Sequence, residues 1–424
     1  MFRPEEASIA SLESSFERMS SAPSSKLMQG GVIRMEQAVK RDRKDFLVFG
    51  SPLIGEEEIA EVVATLRSGW IGTGPRVKQF EEMMKQYTGA QYAVAVSSCT
   101  AALHLSLLVL GIGPGDEVVT TPMTFAATAN AIIHAGAKPV FVDVSRETML
   151  IEPDRIEAAI TPRTKAILPV HLTGRLCAMD EILAIARRHN LFVIEDAAHC
   201  IEGRYHGRSV GTIGDITCFS FYVTKNLTTA EGGMVLTNNS KWAERLRVLA
   251  LHGMDLHAHQ RFGDGGYRHY RVTEPGYKYN MTDIQAALGI HQLKRLEGSW
   301  ERRNAIWNEY QEAFSGLPIH LPASDEPGER HARHLYTIVL HEEECGKNRD
   351  QLLEYFTQHR IGVGVHYTPV HLHPYYRQTL GYREGAFPNA EWIGKGTISL
   401  PLSAKLSQED VEDVISVLRQ AFDA

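Results

Sequence analysis

From residue 56 onward, apolar positions recur along the chain in two alternating rhythms. Glu56–Ser68 and Pro75–Tyr87 carry a helical period, the second placing Val77, Phe80, Met84 and Tyr87 on one face. Short apolar runs follow at Tyr92–Val96, Glu117–Thr120, Pro139–Val144, Ala166–Val170, Leu191–Ile194 and Ile216–Phe221, separated by helical segments. Runs of this kind predict strands buried on both faces, and their alternation with helices predicts a mainly parallel sheet covered on both sides. The rhythm breaks after Leu293. A long charged helix, Glu297–Phe314, leads into a looser α+β stretch with a strand at Tyr336–Leu340. The closing helix is marked by Ser407 as N-cap with Asp410 three residues on, and it offers Val411, Val414, Ile415, Leu418 and Phe422 for burial. The pattern divides this α/β chain into an extension at 1–45, a large domain at 46–293 and a smaller α+β domain at 294–424. Lacking apolar periodicity, the extension is expected to be mobile and dispensable.

Composition narrows the function without naming it. A chain of 424 residues with 43% hydrophobic and 22% charged residues is long enough for two ordinary globular domains. The net charge of −7 leaves no basic footprint for nucleic acid or an anionic membrane, so neither is an expected partner. No run reaches the ~18 apolar residues of a membrane span, and the N-terminus has no signal-peptide pattern. Five widely spaced cysteines without a Cys-x-x-Cys suggest reduced thiols in a cytoplasmic protein rather than a disulfide framework or a zinc site. His371 and His373 form a His-x-His pair with no third ligand in view, so no metal is expected; the Tyr367–His373 segment is read instead, with His366, as an edge of the substrate pocket.

Chemistry in a parallel sheet gathers beyond the carboxyl ends of the strands, and three such places stand out. At Ser97–His104 a run ends in small hydroxyl residues as a helix begins, a junction suited to phosphate or simply to a capped helix. Asp196 ends the run Leu191–Glu195 and calls for a cation: a basic side chain, a metal, or a protonated ring nitrogen. Lys225 lies between an apolar strand and the glycine-rich Ala230–Met234 run, flanks that lower an amine's pKa and make it a nucleophile and base. A phosphate seat, a buried acid and a desolvated lysine are the contacts pyridoxal phosphate needs. The residues alone serve equally well an Asp196–Lys225 ion pair with no cofactor.

Read in order, Ser98–His104, Glu195–His199, Phe219–Phe221 with Lys225-Asn226, Glu231–Gly233, Gly276–Met281 and Ser399–Leu402 resemble the sugar aminotransferases of the DegT/DnrJ/EryC1/StrS family. The likeness runs from about Phe46 to the C-terminus and is greatest to the UDP-4-amino-4-deoxy-L-arabinose–oxoglutarate aminotransferase type. It implies a fold-type I enzyme that moves an amino group from glutamate, leaving 2-oxoglutarate, to a keto sugar nucleotide, with UDP-linked 4-keto sugars foremost and 3-keto sugars or cyclitol ketones as alternatives. It implies further that Lys225 forms the Schiff base with pyridoxal 5'-phosphate, that Asp196 pairs with the ring nitrogen, and that His199 bonds the ring hydroxyl. Phe125 would stack on the ring, while the Thr100 and Ala101 N–H groups and the Ser220 hydroxyl would hold the phosphate. The Gly276–Asn280 loop resembles the family segment that enters a neighbour's site, which implies a homodimer with shared active sites and gives Asn280 to the other subunit's phosphate. Sugar dehydratases on this scaffold carry histidine at the lysine position, and a regulator would have no use for Lys225, Asp196 and Ser220 together. The chain departs from the family at Cys99, where glycine is frequent, and at Thr173 and Arg175, expected to bear on the substrate pocket.

Overall fold

The computed structural model describes residues 43–255 and 269–423. Its strands are β1 (Tyr92–Val96), β2 (Glu117–Thr120), β3 (Lys138–Phe141), β4 (Thr164–Ile167), β5 (Phe192–Asp196), β6 (Arg204–Tyr205), β7 (Arg208–Ser209), β8 (Ile216–Ser220), β9 (Gly233–Thr237), β10 (Glu329–Arg330), β11 (Tyr336–Val339) and β12 (Thr397–Leu400). The main sheet has seven strands in the order β1-β9-β8-β5-β4-β2-β3. All run parallel except β9, which lies antiparallel between β1 and β8.

Alternation along each strand feeds two cores. β1 sends Ala93 and Ala95 to one face and Val94 and Val96 to the other, while β9 splits Met234 and Leu236 from Val235. The first face is covered by helices Pro75–Thr88, Met179–His189 and Asp283–Lys294, through Phe80, Met84, Ile182, Ile185, Ala286 and Ile290. Phe80 is fully buried, edge-on to Phe221 at 5.2 Å between ring centroids, and truncating such a ring to alanine costs about 3–5 kcal/mol. Helices Cys99–Val109, Ala126–His134 and Ser240–Ala250 cover the second face.

A third core lies in the C-terminal part. There β11 and β12 pair antiparallel, and Trp307, Tyr310, Phe314, Phe356, Val411, Val414 and Leu418 pack on them. The closing helix begins as its cap predicts, with Asp410 accepting from the Ser407 backbone and hydroxyl and its own N–H bonded to Ser407 Oγ. Residues Phe387, Ala390 and Ile393 join the first core, so the chain after residue 294 contributes to both layers.

The hydrophobic pattern does not predict five of the strands: β9 stands where it shows only a glycine-rich run, and β6, β7, β10 and β12 fall in stretches with no strand signal. The expected mobile extension lies outside the described residues except for 43–45. Within those, Arg43 bonds Asp410 and Asp413 on the closing helix and the Lys44 carbonyl accepts from Arg360, so this end of the extension is tied down.

β9 also fixes what stands beside β1. A side chain added at Gly233 would run into the Ser98 carbonyl and come within 2.6 Å of the Cys99 nitrogen. Gly233→Ala must therefore push back the turn that opens helix Cys99–Val109. The expected outcome is a loss of about 1–3 kcal/mol, read by thermal melts; an unchanged melt would show that the turn yields freely.

Candidate active site

Parallel strands point their carboxyl ends the same way, and the residues that follow β1, β5 and β8 surround one cavity of about 510 Å³. Ser98, Thr100, Phe125, Asp196, His199, Ser220 and Lys225 all line it.

Lys225 stands in the connection between β8 and β9. The loop closes on itself, with the Phe221 N–H on the Gly232 carbonyl (2.9 Å), Thr229 N–H on Phe221 (2.9 Å) and Lys225 N–H on Tyr222 (2.9 Å). Part of the side chain stays open to the cavity while protein encloses the rest. That desolvation takes its pKa down to about 8, against the opposing pull of nearby Asp196.

Asp196 ends β5 and is buried. Its carboxylate accepts from the Thr128 hydroxyl (2.8 Å) and the Ala198 N–H (3.2 Å), and Thr128 in turn accepts from Thr124 (2.7 Å). Burial pushes the carboxyl above the usual aspartate value, while these bonds and the charge of Lys225 pull it back. Among the described residues no ion pair joins Asp196 to Lys225, so the cofactor-free ion-pair alternative finds no support here. Both groups keep capacity for a ligand.

His199 is buried, and burial together with the Lys225 charge drives its pKa well below the usual value, leaving a neutral ring. The Thr173 N–H donates to its Nδ1 (3.3 Å), so the proton sits on Nε2, which lies 3.4 Å from the Tyr367 hydroxyl. Phe125, first residue before helix Ala126–His134, is 60% exposed, an apolar ring at the cavity wall with a face to cover.

One expected residue stands elsewhere. Ala101 does not line the cavity, and its N–H is taken by Ser98 Oγ (3.1 Å), the cap of the helix it was expected to serve. Asn280 lines a neighbouring groove and donates to Thr73 Oγ1 (2.7 Å). The Gly276–Asn280 loop is held by its own chain, through Tyr277 and Tyr279 on the carbonyls of Leu249 and Ala250 and through Ser97 on Tyr279.

Other expectations divide. His366 and Tyr367 line the cavity, but His371 is buried against Glu391 (2.9 Å) and edges no part of it. Among the described residues no cluster of three or more His, Cys, Asp or Glu is placed to hold a metal. Thr173 donates its backbone N–H to His199 and Arg175 reaches the carbonyls of Ala323 and Ser324, and neither residue lines the cavity. His334 was missed altogether. Its ring lies 4.4 Å from that of His199, and its only sequence signal was the landmark Lys225-Asn226, since Asn226 is its partner.

These residues fit pyridoxal phosphate: a free amine that can lose its proton, a carboxylate with room for a cation, an uncovered aromatic ring and a helix start. A model of the DegT/DnrJ/EryC1/StrS aminotransferase family matches residues 52–419. This chain belongs to that family. It is a pyridoxal-phosphate-dependent sugar aminotransferase of α/β fold. Spore coat polysaccharide biosynthesis protein SpsC of Bacillus subtilis is 52% identical over 379 residues, covering 89% of this chain and 97% of that protein. Spr1654 of Streptococcus pneumoniae in its PMP-form superposes with a TM-score of 0.83 at 36% identity, over 89% of this chain and 99% of the other. DesI, solved in the presence of its TDP-sugar product, gives 0.80 at 30% identity, over 90% and 94%. No helix among the described residues is long and apolar enough to cross a membrane.

The lysine supplies a test of the family site in this aminotransferase. Capturing the cofactor's aldehyde requires the neutral amine, and a lowered pKa makes that form dominant above about 8 rather than above the ordinary 10.5. In cofactor-free protein the rate of capture is therefore expected to climb through about pH 8, followed by stopped-flow absorbance. A single rise near the ordinary lysine value would contradict the desolvated geometry.

Proposed function

We propose that this aminotransferase moves the amino group of glutamate onto a keto sugar carried by a nucleotide, with UDP-linked 4-keto sugars the first candidates. The observation that carries the reading is the composition of the cavity. Around one free amine it sets imidazoles and hydroxyls from both halves of the chain, His199, His334, His366 and Tyr367, which suit a polyhydroxyl ligand better than an apolar one. The sugar nucleotide named with DesI and the polysaccharide named with SpsC support the same substrate class.

Bound there, pyridoxal phosphate supplies an aldehyde that carries the amino group between substrates and a ring that draws electrons from the reacting carbon. Lys225 would hold it covalently and, once displaced, take up and return the proton at the substrate carbon, both tasks of the neutral amine. Asp196 would keep the ring nitrogen protonated, oriented by Thr128 and Ala198. His199 would donate Nε2–H to the ring oxygen, Phe125 would cover one face, and Thr100 and Ser220 would hold the phosphate. Asn280 would complete the phosphate seat of a partner subunit in a homodimer.

The deciding experiment loads the protein with pyridoxamine phosphate and offers a panel of nucleotide-linked 4-keto and 3-keto sugars and cyclitol ketones. A UDP-linked 4-keto sugar is expected to discharge the amino group fastest, and a cyclitol ketone doing so instead would replace the proposed substrate. Lys225→Ala is expected to lower turnover by about 10³-fold or more; turnover near the parent's rate would remove Lys225 from its role.

Shared sites make a separate prediction. Lys225→Ala and Asn280→Asp are each expected to be inactive, the second because a carboxylate beside the phosphate repels it. Mixed under conditions of proven subunit exchange, they are expected to regain activity in hybrid dimers with one intact site. No recovery would confine Asn280 to a structural role in its own chain.

A further inference from the structure

Behind His334 stands a buried chain of polar groups that the site described so far does not use. Arg303 and Glu202, both buried, form an ion pair. The second oxygen of Glu202 accepts from Asn226 Nδ2 (2.8 Å), which also donates to the Ala332 carbonyl (2.9 Å). Two acceptors on that side settle which way the amide points, so Asn226 turns its oxygen to His334 Nδ1 (2.9 Å). An amide oxygen only accepts. His334 must therefore carry its proton on Nδ1, and Nε2, with no protein partner among the described residues, is left to the cavity as a bare lone pair.

His199, whose ring is 4.4 Å away, is set the other way round, with Nδ1 accepting and Nε2–H donating. Two neighbouring imidazoles thus show opposite polarity to one cavity. Burial and the charge of Lys225 keep both neutral, so neither reverses by taking a second proton.

We infer that His334 is a specificity-determining residue, its Nε2 accepting a hydrogen bond from a sugar hydroxyl on the carbon next to the reacting carbonyl. The choice follows from what each substrate can give. Beyond its reacting amine, glutamate offers only carboxylates, which a bare lone pair repels. A sugar offers hydroxyls, and a hydroxyl donates. The inference rests on the keto-sugar reading, and it adds that Arg303, Glu202 and Asn226 are positioning residues that hold the acceptor in place.

The test measures the two half-reactions separately in the cofactor-loaded protein and in His334→Phe and His334→Gln. With glutamate, both variants are expected to lose much less than with the sugar. With the nucleotide-linked 4-keto sugar, the KM of His334→Phe is expected to rise about tenfold with kcat less affected, and His334→Gln, which offers an oxygen near the same place, to recover part of the loss. A sugar lacking the adjacent hydroxyl is expected to bind the parent about tenfold more weakly yet lose little more in His334→Phe. Equal losses in both half-reactions, or none, would overturn the inference. ¹⁵N NMR of the histidine-labelled protein reads the polarity directly: His334 is expected to show a protonated Nδ1 and an unprotonated Nε2, and the reverse tautomer would also overturn it. If the parent aminates no sugar of the panel, the proposed function fails by itself, while the tautomer still decides the polarity argued here.

Discussion

The site depends on keeping a lysine amine and a carboxylate in one cavity without letting them meet. Placed freely in a low-dielectric interior, Lys225 and Asp196 would pair, and the pair would satisfy both. The sheet prevents this by anchoring them differently. Asp196 belongs to the end of β5 and is held by Thr128 and Ala198, whereas Lys225 belongs to a loop that leaves β8 and returns as β9. Each retains an unspent valence toward the cavity. Desolvation of the amine and the demand of the carboxylate for a cation are two results of that separation, and pyridoxal phosphate meets both at once.

The fold and the centre of the site were legible in the sequence for the same reason. Strands buried on both faces are written as apolar runs, and residues that end those runs stand at the ligand edge, so Asp196 and the Ser98–Thr100 turn could be placed from pattern alone. Lys225 was legible through its flanks. β9 was obscured because Gly233, which lets it approach the Ser98–Cys99 backbone, looks like a loop glycine until the neighbour is known.

What stayed hidden depends on contacts between distant parts of the chain or on the last detail of a turn. His334 enters the cavity because Asn226, more than a hundred residues earlier, holds its ring. Nothing near His334 in sequence announces that. Ala101 fails as a free donor because Ser98 caps the helix through it, a choice made by a single hydroxyl rotamer. His371 and His366 share a short segment, yet one closes on Glu391 and the other on Ser399 and the cavity.

The loop bearing Lys225 has a mechanical consequence. Its two ends are neighbouring strands paired from Ser220–Gly233 to Ile216–Thr237, so the loop is a hairpin riding on the sheet as a single stiff unit with Asp196 on the adjoining strand. His334, His366 and Tyr367 come instead from the chain after residue 294. Movement there would reshape the outer wall while the spacing of Lys225 and Asp196 stayed fixed. Substrates of different shape, an amino donor and a sugar, can thus take turns in one chamber without loosening the grip on the group they share.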